Sequence, residues 1–458
     1  MKPAPMWDDR TPMILITFDG LGDRPSAELN NLTPLEAAIT PNLDELTRIG
    51  VSGIHQPFGP GRATSSERSH WAMFGQTQTF PGRALLEATG MGIEIPVGRP
   101  HFHLSLRPAV LKGGQLQTVG RVGNDDASDC IELFDALRVM PHELNPVLHP
   151  LRNGECILES AVISSHEISD SDPLFGHLHP VLRPLPLDSA LDQDSANYSA
   201  ELVSSWINSA VALLLAHPIN KARASDGKPH LIAPVTKWAS LRKEFKTFEQ
   251  STGLTGAAVT SSALYRGLAE VLGMTQTHIP SDLDNVQADF ESRLLAGITL
   301  SKTHSFVHIH TKATDEAGHT KQPKLKRDVI ESLDRACQQL LNIAKATTIV
   351  ITGDHATPST GGVMHSAHPT SFILAGPHVH PDEVDTCGER FHNAGELGAV
   401  RAKDILPLMS HFSHRASFKG HATGPSETIA LPDNPVVLDF SETANENQVT
   451  QVNRTGIK

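Results

Sequence analysis

Residues 12–20 read P-M-I-L-I-T-F-D-G, a continuous apolar run closed by an acid and a glycine. An unbroken run of this kind marks a strand buried on both faces, as in a parallel sheet, rather than the alternating pattern of a strand with one wet face. Asp19 then stands at the strand exit, either as a strand-end cap or as a ligand. Thr40-Pro41 opens the next element, with threonine as N-cap, proline at the first helical position, Leu43, Leu46 and Ile49 on one side and Gly50 as terminator. A buried strand followed by a helix is the repeating unit of a doubly wound α/β sheet.

Two later apolar runs extend that pattern, and both end in metal-type residues. Ser305–Ile309 leads into K-A-T-D-E-A-G-H, Lys312 to His319, where Asp315 and His319 stand four apart and can close on one ion. Thr347–Ile351 leads into T-G-D-H-A-T-P and G-G-V-M-H-S-A-H-P, which supply Asp354, His355, His365 and His368. With 25 histidines in the chain, any one of them reads first as a packed or solvated side chain. Asp and His recurring together behind strands is different, because open α/β sheets place ligands beyond their strand ends.

Length and composition limit the remaining possibilities. A chain of 458 residues exceeds one ordinary core, so two or more domains are expected. Hydrophobic content of 39% with 19% charged residues reads as soluble and globular, and a net charge of −13 argues against general nucleic-acid binding. The four cysteines, Cys130, Cys156, Cys337 and Cys387, form no CxxC pair, so neither a disulfide framework nor a thiolate zinc site is indicated. No apolar run approaches the ~20 residues of a membrane span. No signal-peptide core follows Met1, and the cytoplasm is the expected compartment.

Between the first strand and the metal passages lies G-P-G-R-A-T-S-S-E-R-S-H-W-A-M-F-G, Gly59 to Gly75. Ser65 and Ser66 sit near a helix N-terminus, where free amides and the helix dipole favour phosphate. Read alone, such a serine is an N-cap. Further on, helices are expected at Ser199–His217 and Leu264–Leu272, and Leu325, Val329, Leu333, Ala336 and Leu340 recur at helical spacing as packing residues. His101 and His103 alternate as along a strand. S-D-S-D-P, Ser169 to Pro173, reads as a solvated turn, and the proline-rich run from 177 to 186 as an irregular connector.

The order F-D-G-L-G-D-R-P, T-P-L-E-A-A, T-P-N-L-D-E-L, the Ser66 loop, G-R-A-L-L-E-A-T-G-M-G-I, D-E-A-G-H, D-H-A-T-P and H-S-A-H-P resembles the cofactor-independent phosphoglycerate mutases of the archaeal type, within the alkaline phosphatase superfamily. The resemblance covers roughly residues 12 to 95 and 250 to 412. It implies an alkaline-phosphatase-like, doubly wound, mostly parallel sheet core with an inserted smaller α+β domain. The corresponding division is 1–95 and 249–440 for the metal-binding core, 96–248 for the substrate domain and 441–458 for a loose tail. It further implies two divalent ions, commonly Mn²⁺, with Zn²⁺ or Mg²⁺ as alternatives. Asp315, His319 and His365 match one ligand set; Asp19, Ser66, Asp354 and His355 match the other, with Ser66 as nucleophile. His368 competes with His365, and the resemblance to the family's loop, P-G-S-D followed by two residues and a histidine, implies Ser66 rather than Ser65, with His70 as that histidine.

The chemistry expected is phosphoryl transfer through phosphoserine, interconverting 2- and 3-phosphoglycerate in glycolysis, with a small phosphorylated metabolite as partner. Within the insert S-D-S-D-P, Ser169 to Pro173, resembles a D-x-D-P element of the family, with a solvated turn as the ordinary reading of such a run, but elsewhere the insert departs from the family. F-R-x-N and D-R-R-A-G-R correspond to F-H-L-S-L-R, Phe102 to Arg107, and T-V-G-R-V-G-N, Thr118 to Asn124; R-G-A-G is replaced within A-P-V-T-K-W-A, Ala233 to Ala239. Arg107, Arg121, Lys237 and His70 are therefore the expected substrate contacts. A phosphomutase or phosphohydrolase acting on another small phosphate or phosphonate is the alternative, because lysine does not reproduce arginine's planar fork.

Overall fold

Two β-sheets organise the chain in a computed structural model that describes residues 9–151, 153–172, 180–417, 428–436 and 438. The expected loose tail 441–458 and part of the proline-rich connector lie outside the described residues. The strands are β1 (Met13–Phe18), β2 (Val51–His55), β3 (Pro100–Lys112), β4 (Gln115–Thr118), β5 (Val147–Pro150), β6 (Glu155–Glu159), β7 (Leu231–Leu241), β8 (Gly256–Thr260), β9 (Thr275–His278), β10 (Phe306–Thr311), β11 (Thr348–Thr352), β12 (Thr370–Ala375) and β13 (Gly398–Val400). The larger sheet has the order β13-β2-β12-β11-β1-β10-β8-β9. Only β12 runs against the rest.

β1 occupies the centre, with Ile16 beside Ile309 of β10 on one side and Ile351 of β11 on the other. All three strands are buried at every position, β1 and β11 as their apolar runs predict and β10 with His308 and His310 buried among its apolar residues. One face carries a core around Leu15, Phe74, Tyr265 and Phe306, the other a core around Ile14, Phe18, Leu294 and Ile330. Since β11, β1 and β10 are adjacent and parallel, their carboxyl ends open at one edge. Asp354, Asp19 and Asp315 follow those three ends.

The smaller sheet comprises β3 to β7, all paired antiparallel, so its strands fall between residues 100 and 241. The helix covering it runs Gln193–Ala216, six residues earlier in its start than Ser199, because Asp192 caps it by accepting a bond from Ser195 N. On length and composition alone this helix could span a bilayer. Its Val203, Trp206, Ala210 and Leu214 side is instead packed into the core of the small lobe.

Helix Arg83–Gly90 joins the two lobes. It crosses helix Ala263–Val271 so closely that a Cβ on Gly90 would overlap the Ala263 carbonyl, and one on Gly267 the Leu86 carbonyl. Its opposite side, Ala84 and Ala88, packs on Ile157 of β6.

Two expectations need correcting here. The helix Pro323–Ala336 buries Leu333 and Ala336 as expected, with Val329 packed against the same core and Leu340 buried just beyond it, but it leaves Leu325 exposed and turns Lys326 and Ile330 inward instead. The Ser169–Asp172 segment is no solvated turn: Asp170 accepts a bond from Trp238 N at 2.7 Å and Asp172 is fully buried. Pro173 lies outside the described residues.

Candidate active site

Each carboxylate at the sheet edge is held by its own loop. Gly20 follows Asp19 with φ +65°, and a Cβ there would sit 2.5 Å from Thr357 Oγ1 and 2.8 Å from Asp315 Oδ1, so only glycine admits the other two loops. Asp354 Oδ1 accepts a bond from Gly20 N at 2.9 Å. Asp315 Oδ1 accepts one from Thr357 Oγ1 at 2.6 Å. The loops after β1, β10 and β11 thereby lock into one another.

Helix Ser66–Met73 delivers the serine. Ser65 is its N-cap and makes no side-chain capping bond, while Ser66 is the first helical residue, so the N-cap reading belongs to Ser65. Ser66 Oγ lies 2.9 Å from His355 Nε2 and 3.4 Å from Asp19 Oδ1. The structure brings Asp19, Ser66, Asp315, His319, Asp354, His355 and His365 to one place. Asp315, His319 and His365 form one group of donor atoms lying within 4.8 Å of each other, and Asp19, Asp315 and His355 form a second. Asp315 therefore faces both groups, although its sequence neighbours tie it to one. His365 Nδ1 is 3.1 Å from the Thr64 carbonyl, with its ring stacked on His355 at 3.9 Å, whereas His368 is exposed and bonded to Ser366.

The electrostatics are those of closely packed, buried carboxylates and imidazoles. Burial and Asp19 push Asp354 up to about 7. Burial opposes charge on His355, yet Asp354 and Asp19 outweigh it and push it up to about 9. Burial and Asp19 also work against ionisation of Asp315, but Lys312 and His319 hold it well below the usual carboxylate range. Asp354 Oδ2 is buried with no hydrogen-bond partner among the described residues. His355 Nε2 and His70 Nδ1 stand 3.5 and 3.6 Å from it without a hydrogen bond; a buried anionic oxygen without a hydrogen bond is costly, and carboxylates with imidazoles and no thiolate suit a divalent ion such as Mn²⁺ or Zn²⁺. The residues present fit such ions.

Several side chains here were not anticipated. Tyr265 OH donates to Asp19 Oδ2 at 2.9 Å, and His310 Nε2 lies 3.1 Å from the same oxygen. His308 and Thr17 stand behind them, with Thr17 Oγ1 2.8 Å from His308 Nε2. Lys312 Nζ is 3.1 Å from Asp315 Oδ2. His308 and His310 carry a legible signal, two histidines two apart inside a buried strand, which puts both on one face. Tyr265 carries none, since it reads as one more apolar residue of its helix.

Above the serine opens an interlobe cleft of about 1840 Å³. Ser66, Lys312, Asp315, His319 and His365 line its core wall; His103, Arg107, Arg121, Lys237 and Trp238 line the wall of the small lobe. Arg107 pairs with Glu155 at 3.5 Å and Asp172 at 3.6 Å, so part of its charge is spent within the lobe. Burial lowers Lys237 to about 8. His103 reaches Glu87 at 3.0 Å and Glu155 at 3.3 Å, whereas His101 turns to the Arg99 carbonyl and does not line the cleft. The expected substrate contact at His70 is corrected. Its ring is wholly buried behind Ser66, with Nδ1 2.8 Å from the Ser66 carbonyl and Nε2 3.1 Å from Thr17 Oγ1, and it does not reach the cleft.

Comparison with known proteins bears on this arrangement. Residues 11–411 match the model of the metalloenzyme superfamily. The 2,3-bisphosphoglycerate-independent phosphoglycerate mutase of Pyrococcus horikoshii is 30% identical over 416 residues, covering 88% of this chain and 97% of the relative. A solved protein structure from the same organism superposes with a TM-score of 0.71 at 28% identity, covering 90% of this chain and all of the other. The cofactor-independent phosphoglycerate mutase of Thermoplasma acidophilum gives 0.58 at 27% identity, over 88% of this chain and all of that one.

Proposed function

The chain belongs to the metalloenzyme superfamily and, within it, to the 2,3-bisphosphoglycerate-independent phosphoglycerate mutases, and from that premise we propose that it interconverts 2- and 3-phosphoglycerate by phosphoryl transfer through Ser66. What supports the reading is one observation above all: Ser66 Oγ stands between Asp19 and His355 at the floor of the cleft. In this reading residues 1–95 and 249–440 form the metal-binding core and 96–248 the substrate lobe.

Asp315, His319 and His365 would hold one ion, and Asp19, Ser66, Asp354 and His355 the other, which Asp315 also faces; Mn²⁺ is the expected metal. Such ions lower the pKa of a bound hydroxyl and offset the charge that develops on a transferring phosphoryl group. Ser66 Oγ forms a bond to phosphorus as the bond to the substrate oxygen breaks, and the serine proton ends on the released glycerate hydroxyl. The other glycerate hydroxyl then attacks the phosphoserine and returns a proton to Ser66. Arg121 and Lys237 hold the glycerate in the cleft between the two steps, where water must be excluded. A cytoplasmic setting in glycolysis accompanies this activity.

One observation favours a second reading. Trp238 faces the cleft with the Arg83 guanidinium over its ring at 4.1 Å, while Arg107 is engaged with Glu155 and Asp172. That wall differs from a carboxylate clamp and suits a phosphohydrolase or phosphomutase acting on another small phosphate. Incubating metal-loaded protein with 3-phosphoglycerate decides between them: 2-phosphoglycerate is the expected product, inorganic phosphate would indicate hydrolysis, and neither would rule out phosphoglycerate as substrate.

A further inference from the structure

The geometry points to Tyr265 as a positioning residue that restricts Asp19 to ligation through one oxygen, leaving room beside it for Ser66. The two carboxylate oxygens of Asp19 have different surroundings. Oδ2 receives the Tyr265 hydroxyl at 2.9 Å and lies 3.1 Å from His310 Nε2. Oδ1 is 3.4 Å from Ser66 Oγ and 3.3 Å from His355 Nε2. With Ser261 Oγ 2.7 Å from His310 Nδ1, the imidazole can accept there and donate from Nε2 to Asp19. An oxygen holding two donors is occupied, so a cation meets Asp19 at Oδ1.

Tyr265 has little freedom to leave this bond. It is 2% exposed, its ring lies 3.6 Å from that of His310, and its helix is fixed by the close crossing at Gly267 and Gly90. If the phenol were absent, the carboxylate could swing and offer both oxygens to an ion, crowding the position beside it that the serine needs. Partners that orient a ligand in this way typically alter metal affinity by roughly 10- to 100-fold when removed.

The inference rests on the reading of Asp19 as a metal ligand, and the test separates the two. Metal-free wild type, Tyr265→Phe and Asp19→Asn are titrated with Mn²⁺ by calorimetry, with the metal-free fold of each checked by circular dichroism. Tyr265→Leu, which deletes the same donor with a different shape, runs in parallel so that a folding failure of one variant does not decide the outcome. The expected result is that Asp19→Asn loses one ion and that Tyr265→Phe weakens the same ion by roughly 10- to 100-fold, with the other ion unchanged and kcat reduced more than KM. Asp19→Asn binding both ions like wild type would overturn the ligand reading itself. Asp19→Asn losing an ion while Tyr265→Phe binds both normally, or weakens both equally, would overturn only the role given to Tyr265.

Discussion

Lys326 Nζ lies 3.1 Å from Asp23 Oδ2, and both side chains are sealed from solvent beneath the loops that carry Asp19 and Asp354. The same ammonium donates to the carbonyls of Gly20 at 2.8 Å, Gly22 at 3.1 Å and Thr357 at 2.8 Å. Asp23 in turn accepts from Ser359 N at 3.0 Å. One buried ion pair thus joins the loop after β1 to the loop after β11. Removing one partner of such a pair strands the other charge, at a cost of about 3–5 kcal/mol. Lys326→Met is expected to lose about that much in urea denaturation of the metal-free protein and to bind metal more weakly. Unchanged stability would show that the clamp carries no net energy.

Ser66→Ala is expected to retain its fold and at least one ion, because the remaining ligands are untouched, while phosphoryl transfer falls by about 1,000-fold or more. Elemental analysis and turnover of the substrate identified for the wild type check both halves. Undiminished turnover would exclude the serine as nucleophile.

Asp315 faces both groups of donor atoms, whereas His319 belongs to one. Asp315→Asn is therefore expected to disturb both ions and His319→Ala to cost one, with the far-ultraviolet spectrum unchanged in each. Two ions still bound to His319→Ala by elemental analysis would contradict the assignment.

Lys237 gives the cleft a pH dependence. Burial lowers its pKa to about 8, so the ammonium that attracts an anionic substrate is lost as pH rises through that value. KM for the phosphorylated substrate is expected to climb above about pH 8. Lys237→Arg, charged throughout this range, should remove the inflection; its persistence would assign the titration to another group.

Stability should fall in acid. Burial lowers His55 and His392 to about 4, and His101 likewise, while an unfolded histidine titrates near 6.5. The folded values lie below the unfolded one, so this contribution is complete above about 6.5 and is lost as pH falls towards about 4. Asp354 and Glu389, pushed up to about 7, and Asp170, pushed up to about 6, work in the opposite sense, but they are outnumbered once His70 and His310, also lowered to about 4 by burial, are added. The melting temperature of the metal-free protein is expected to drop between pH 6.5 and 4.5, with a shallower slope in His55→Gln. An equal slope in that variant would place the proton uptake elsewhere.

The strands could be read in sequence because a strand buried on both faces leaves a largely apolar run, near-continuous in β1 and β11 and interrupted in β10 only by His308 and His310. Helix ends were less legible. The six residues that the covering helix adds before Ser199 depend on a side-chain bond from Asp192, which competes with many similar polar segments. The burial of Lys326 has no sequence signal for the same kind of reason: a lysine counts as solvent-facing until its partners, some 300 positions earlier in the chain, are known.

The sequence by itself determined which residues could bind metal, since a carboxylate or imidazole behind a buried strand is a local pattern, whereas Ser66 stood out from Ser65 only through the resemblance to the family's loop. The tertiary structure alone decided which of those groups face each other. It turned His70 inward, gave Asp315 to both groups, spent part of Arg107 on Glu155 and Asp172, and set Tyr265 against Asp19. The reason is physical: donor type is a property of one residue, whereas the direction of a lone pair or a hydroxyl is fixed by packing between strands and helices hundreds of residues apart.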